Sequence, residues 1–169
     1  VFSHVTEMGG DRKRIFLSGH SAGAHLVSLL GTNHKYMLKH NIELSNLAGV
    51  IPVDTASFNL LSNDRERLVK RLIKKAFGEK KWILKQASPF YNVHKGAVYP
   101  KFLILNTTNR AAAVRGAKEF ADKLTAAGHE AQFTAVKNHT HKEMAQGIYD
   151  FSDPVGQAIL QFIFNEPNE

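Results

Sequence analysis

The sequence predicts an α/β fold, a doubly wound and mostly parallel sheet with flanking helices. Three observations carry this. Four short apolar runs have strand length, a helical-period stretch follows each of them, and glycine or proline punctuates the joins, so the chain orders as βαβαβαβα. At 169 residues and 43% hydrophobic there is enough apolar matter for one core. No repeat, Gly/Ser linker or low-complexity tract divides it, so residues 1–169 read as a single domain.

The first strand is Ile15-Phe16-Leu17, and an apolar helix opens behind Ser21 and ends near Gly31. Residues 48–53 form a buried strand that stops at Asp54. Residues 58 to about 96 read as an insertion. Within it, 64–77 places Leu68, Val69, Leu72, Ile73, Ala76 and Phe77 on one helical face and Arg65, Arg67, Lys70, Arg71, Lys74 and Lys75 on the other, with Gly78 as the stop. A second helical piece surrounds Trp82 and Leu84, and irregular chain runs from Ser88-Pro89 to Tyr99-Pro100. Residues 101–105 are the third strand. The helix 111–127 turns Ala117, Phe120, Ala121 and Leu124 to one side before Gly128. Residues 130–136 alternate like an edge strand, and Ser152-Asp153-Pro154 caps a last helix with Val155, Ile159, Phe162 and Ile163 inward.

The net charge of +7 collects mainly on the 64–77 helix. A solvated basic face accounts for it, and the other reading is a docking surface for an acidic partner, membrane headgroup or anionic substrate. Without interleaved exposed aromatics or a binding motif, no nucleic-acid partner is expected. No apolar run reaches the roughly 20 residues of a membrane span. The absence of cysteine excludes disulfides and thiolate metal sites, and leaves the compartment open. Val1-Phe2-Ser3-His4 has neither an initiator Met nor a signal pattern, so the start reads as cut.

The most informative segment is Gly19-His20-Ser21-Ala22-Gly23-Ala24-His25-Leu26, set between strand and helix. Glycines two residues either side of Ser21 suit a tight turn that lifts the hydroxyl clear of the backbone, and the helix behind it aims free N–H groups, Ala22 first, at a developing oxyanion. An ordinary strand–helix turn would use the same glycines. With Gly10-Asp11-Arg12-Lys13-Arg14 leading in, the segment resembles the esterase/lipase branch of the α/β-hydrolase family, in which a "GGDP-R-I…GHSAGGHLA" run is typical. The resemblance covers nearly the whole chain. It implies a C-terminal portion of such a fold, with the insertion at about 58–96 as a cap or lid and the N-terminal strands and second oxyanion loop missing. A half sheet leaves a strand edge and an apolar face uncovered, which either the missing N-terminal half or a homodimer would complete.

The same resemblance implies a serine nucleophile at Ser21 and a base in the loop after the last strand. His141 is the choice there, because Thr140-His141 followed by Met144 and Ile148 is similar to the family's "T-H-x-x-I-N…G" segment, and His139 is the runner-up. A metal site from His139 and His141 lacks a carboxylate or thiolate at supporting spacing, so no metal or other cofactor is expected. His20 and His25 flank the turn and read as packing or hydrogen-bonding residues. The family's acid, in "I-L-x-x-x-D-R", falls on Asn109 of Ile104-Leu105-Asn106-Thr107-Thr108-Asn109-Arg110. Asp54 is the alternative acid, with a turn cap for Ala56-Ser57 as its other role. Asp122 and Asp150 do not face the turn. The implied activity is hydrolysis of small acyl esters, a small-molecule substrate. An arylformamidase-like amidase or a catalytically weak binding module are the alternatives.

Overall fold

The computed structural model describes residues 2–164. Four strands, β1 (Phe16–His20), β2 (Gly49–Val53), β3 (Lys101–Thr107) and β4 (Ala131–Val136), pair in sequence order, and every pair is parallel. The helices are α1 (Ala22–Thr32), α2 (His34–Leu38), α3 (Arg67–Phe77), α4 (Lys81–Gln86), α5 (Pro89–Asn92), α6 (Ala111–Ala126), α7 (His141–Gly147) and α8 (Pro154–Phe164).

Helices cover both faces of the sheet, but not because the winding reverses. Strands added in one direction by right-handed crossovers put their connecting helices on one face. There Val27 of α1 and Ala117, Phe120 and Leu124 of α6 close over Val50, Phe102 and Ile104. Phe120 stacks on Phe58 at 4.6 Å and meets Phe102 edge-on at 5.6 Å. The opposite face, carrying Ile51, Val53, Leu103 and Leu105, is covered by α7 and α8, which follow the last strand, through Met144, Val155, Ile159 and Phe162. The alternation of strand side chains thus sends neighbouring residues into two cores.

The apolar flanks of edge strand β1 are not bare. Leu17 packs with Ile15, Met37, Leu44 and Leu47, joined by Phe2 and Val5 of the N-terminal turns, and Phe16 meets the Phe162 ring at 6.1 Å.

Residues 58–96 depart most from the sequence pattern. α3 starts at Arg67 rather than at residue 64, because Arg65 folds back and is buried. Its Nη1 donates to the Leu60 carbonyl at 3.2 Å and its Nη2 to that of Asn59, and burial lowers its pKa. Arg65 is therefore not part of the solvated basic face. Nor is the apolar face of α3 buried as a whole: Ile73 packs with Leu60 and Ala87, whereas Leu68 and Leu72 are 64% and 55% exposed. The stretch after Ser88, expected to be irregular, contains α5, with Pro89 in its first turn where a missing N–H costs nothing.

Candidate active site

The site lies along the carboxyl edge of the sheet, where each strand hands its next residues to a functional position. The ladders run one residue past the strands. Ser21 N–H donates to the Val53 carbonyl at 2.9 Å and Asp54 N–H to that of Leu105 at 2.7 Å, which ties the residues after β1 and β2 to neighbouring strand ends.

Ser21 has φ 58° and ψ −114°, a conformation that a side-chain-bearing residue adopts only under strain. Its hydroxyl makes no cap bond to α1 and so stays available. Gly19 is required sterically, since an added Cβ would lie 2.5 Å from the Gly23 carbonyl oxygen. At Gly23 a Cβ would meet nothing within 4 Å, so the second glycine of the motif is not forced by these residues. Ala22 is the first residue of α1, and N–H groups in a first helical turn have no partner within the helix.

His141 opens α7, whose start is fixed by a capping box: Thr140 Oγ1 accepts from Glu143 N–H and the Glu143 carboxylate accepts from Thr140 N–H. Its ring joins two predicted residues. Nε2 lies 3.0 Å from Ser21 Oγ, and Nδ1 lies 2.5 Å from Asp54 Oδ2. Asp54 is fully buried, at φ 48°, and its Oδ1 accepts from Asn106 Nδ2 at 3.2 Å and Thr107 N–H at 3.3 Å. It does not cap the following turn, because Ser57 N–H goes to Thr55 Oγ1 instead.

Asn109 is not brought to His141. Its Nδ2 donates 2.9 Å to the His139 carbonyl, which also accepts from Thr107 Oγ1, so Asn109 braces the loop that carries His141. His139 points elsewhere too, with Nδ1 2.8 Å from the Lys137 carbonyl and Nε2 2.8 Å from Asp153 Oδ2. His139 and His141 therefore do not share a metal. The ligand atoms of His20, Asp54 and His141 do fall within 4.8 Å of one another, but Arg110 Nη1 already lies 3.1 Å from Asp54 Oδ2, and a second cation there would face the guanidinium.

The family model BD-FAE, an α/β-hydrolase-type esterase domain, matches residues 1–124, a span that holds Ser21, Ala22, Asp54 and Asn109. The chain belongs to the BD-FAE family.

No curated protein matches the sequence. Among solved structures, this BD-FAE chain resembles carboxyl esterase 2 from Tuber melanosporum (TM-score 0.70, 17% identity, 95% of this chain and 56% of that one). It also resembles esterase B from Lactobacillus Rhamnosis (TM-score 0.70, 15% identity, 96% and 56%). A third is the propionate-bound Est2 of Thermogutta terrifontis (TM-score 0.61, 21% identity, 96% and 57%). The BD-FAE chain thus spans a little over half the length of these structures and has a partial α/β-hydrolase fold.

His20 and His25, expected to pack or hydrogen-bond, do so, whereas the role of Arg110 carries no signal of its own in the sequence. The His20 ring packs against that of His141, centroids 4.3 Å apart and planes tilted by 39°, and its Nε2–H donates 2.8 Å to the His141 carbonyl; burial, then the neighbouring His141, lowers its pKa. His25 is buried beneath the insertion with Nε2 2.8 Å from the Ala87 carbonyl, and burial lowers its pKa as well. Arg110 holds both Asp54 and Glu66. Burial works against its charge, but the two carboxylates outweigh that and its pKa is raised. A charged residue directly after Asn109 was the only available hint. Ser21, Ala22 and His25 then form the floor of a cavity of about 270 Å³ under Val69, Leu72, Ile73, Ala76 and Phe77 of α3.

Proposed function

We propose that the chain carries the catalytic set of a serine hydrolase that cleaves carboxylic esters of small acyl groups. Ser21 is the nucleophile, His141 the general base and acid, Asp54 the acid of the triad, and Ala22 N–H an oxyanion donor. The observation that carries this reading is the continuous chain Ser21 Oγ, His141 Nε2, His141 Nδ1, Asp54 Oδ2, at 3.0 and 2.5 Å.

A proton on Nδ1, donated to Asp54, leaves the Nε2 lone pair to accept the Ser21 hydroxyl. As Oγ bonds to the ester carbon, its proton passes to Nε2 and the carbonyl electrons move to oxygen beside the α1 N-terminus. Collapse breaks the bond to the leaving alcohol, which takes the Nε2 proton. Water, deprotonated by the same nitrogen, then releases the acid and restores Ser21. Asp54 balances the imidazolium in both halves, and the first turn of α1 needs no movement to receive the oxyanion. The cavity under α3, about 270 Å³ and apolar on its roof, lies below the roughly 300–1,000 Å³ of sites for drug-sized ligands and suits a small acyl chain. An arylformamide would use the same residues, with an aniline leaving in place of the alcohol.

The test is intact-mass detection of fluorophosphonate labelling on this chain and on Ser21→Ala. Stoichiometric labelling lost in Ser21→Ala supports the reading, and hydrolysis of p-nitrophenyl butyrate against an aryl formamide then separates the two substrates. A folded sample that never labels overturns it in favour of a binding module.

A further inference from the structure

The roof of the acyl cavity is weakly packed. Of the α3 side chains only Ile73 is buried, and Leu68 and Leu72 are largely exposed, so polar tethers at the helix N-terminus count for more than usual. Two arginines at the start of α6 provide them. Arg115 Nε and Nη2 grip Asp64 at 2.6 and 2.9 Å, an exposed pair that touches no atom of the site. Arg110 Nε and Nη2 grip Glu66, the N-cap residue of α3, at 3.0 and 3.3 Å.

Arg110 differs in what its other arm does. Nη1 donates to Asp54 Oδ2 at 3.1 Å and lies 3.2 Å from His141 Nδ1. With Nδ1 protonated, the imidazole and the guanidinium both point at one carboxylate oxygen, so the position of that oxygen depends on where the guanidinium is held. The planar fork fixes the two arms to each other, and with 16% of its side chain exposed Arg110 has little screening from solvent. A displacement of Glu66 with α3 therefore reaches Asp54 through one rigid group.

We propose that Arg110 is a positioning residue that couples the roof helix α3, through Glu66, to the Asp54–His141 pair, so that closure over the acyl chain and orientation of the imidazole are a single event. The inference rests on the serine-hydrolase reading above for its catalytic consequence, although the coupling itself does not. Lysine in place of Arg110 keeps the charge but loses the fork, and so does not restore the coupling.

The experiment compares Glu66→Gln with Arg115→Gln, both surface changes compatible with folding. Hydrogen exchange is followed across residues 67–77, and the His141 ring nitrogens are observed by NMR in protein labelled with ¹⁵N-histidine. Glu66→Gln, which cuts the link through Arg110, is expected to raise exchange in α3 and shift the His141 ring signals together, whereas Arg115→Gln, which removes an exposed pair outside that link, leaves both near wild type. Arg110→Lys should behave like Glu66→Gln. Fluorophosphonate labelling of Ser21 should slow about two- to thirtyfold in Glu66→Gln, the range for mutations along a coupling network, and stay at the wild-type rate in Arg115→Gln. Unmoved His141 signals in Glu66→Gln, or equal shifts in both variants, overturn the coupling. Wild-type protein that fails to label while the ring signals still respond overturns the hydrolase reading and leaves the coupling intact.

Discussion

At the scale of single residues, Asn109 separates family pattern from local chemistry. By alignment of motif it stands where an esterase of this type keeps its acid, yet its amide donates to the His139 carbonyl at 2.9 Å and Asp54 makes the contact to His141. Restoring the family residue, Asn109→Asp, is therefore expected to hurt. A carboxylate cannot donate to that carbonyl and repels it, and loss of one hydrogen bond of about 0.5–1.5 kcal/mol that positions the loop corresponds to roughly a two- to tenfold slower labelling of Ser21. The labelling rate of the variant checks this, and a faster rate would mean that His141 can turn to a carboxylate at 109. The sequence singled out Ser21, His141 and both carboxyl-side candidates, because each sits at a strand end that chain order locates. It could not rank Asp54 over Asn109. That ranking depends on Asn106 and Thr107 closing on Asp54 Oδ1 from the next strand, a contact across 52 residues for Asn106 that no local pattern encodes.

At the scale of elements, periodicity located the helices better than it located their surroundings. The spacing of α3 gave an apolar face correctly, but a face can bury against a core or roof a cavity, and the sequence alone does not distinguish the two. The loop before α7 was legible for a different reason, the resemblance of Thr140-His141 with Met144 and Ile148 to a family segment, whereas the Thr140–Glu143 capping box that fixes the helix start comes from the structure. The tie that fastens this loop to α8 was not legible either. His139 has oxygen acceptors at both ring nitrogens, the Lys137 carbonyl and Asp153, and these two bonds raise its pKa above the ordinary 6.5. A histidine whose pKa is raised on folding stabilises the fold fully below its unfolded pKa, and that contribution is lost as pH rises through the folded value. The Tm difference between wild type and His139→Gln should accordingly be largest below about pH 6.5 and shrink above it. His20 and His25, with lowered pKa values, act in the opposite sense, but they are common to both proteins and cancel in the difference. Thermal melts from pH 5.5 to 8.5 check it, and a constant difference would place the His139 charge outside the stability of the loop.

At the scale of the whole molecule, the alternation of strand and helix predicted a parallel sheet with flanking helices, and a doubly wound one, but the four strands lie in plain chain order with no reversal of winding. The covering of the second face was less accessible, as α7 and α8 return across the sheet only after it is complete. The expected bare apolar face is partly closed as well: Phe2, Val5, Met37 and Leu44 shield the core beneath β1 on one side and Phe162 does so on the other. What stays open is the edge. Among the described residues β1 pairs only with β2, Ser18 in its middle is exposed, and neither a proline nor a charged residue within Phe16–His20 blocks further pairing. An unguarded edge of this length is a template for another strand. For this chain on its own we expect that strand to come from a second copy, giving a reversible dimer through β1. Sedimentation velocity across the micromolar range should show a weight-average coefficient that rises with concentration, and Ser18→Lys, which sets two like charges against each other across the new seam, should abolish the rise while leaving unchanged the Tm of samples dilute enough for the wild type to be monomeric. A monomer at all these concentrations with a cooperative melt would mean that the four-stranded sheet is self-sufficient, and that its edge is protected by strand twist and shortness rather than by a partner.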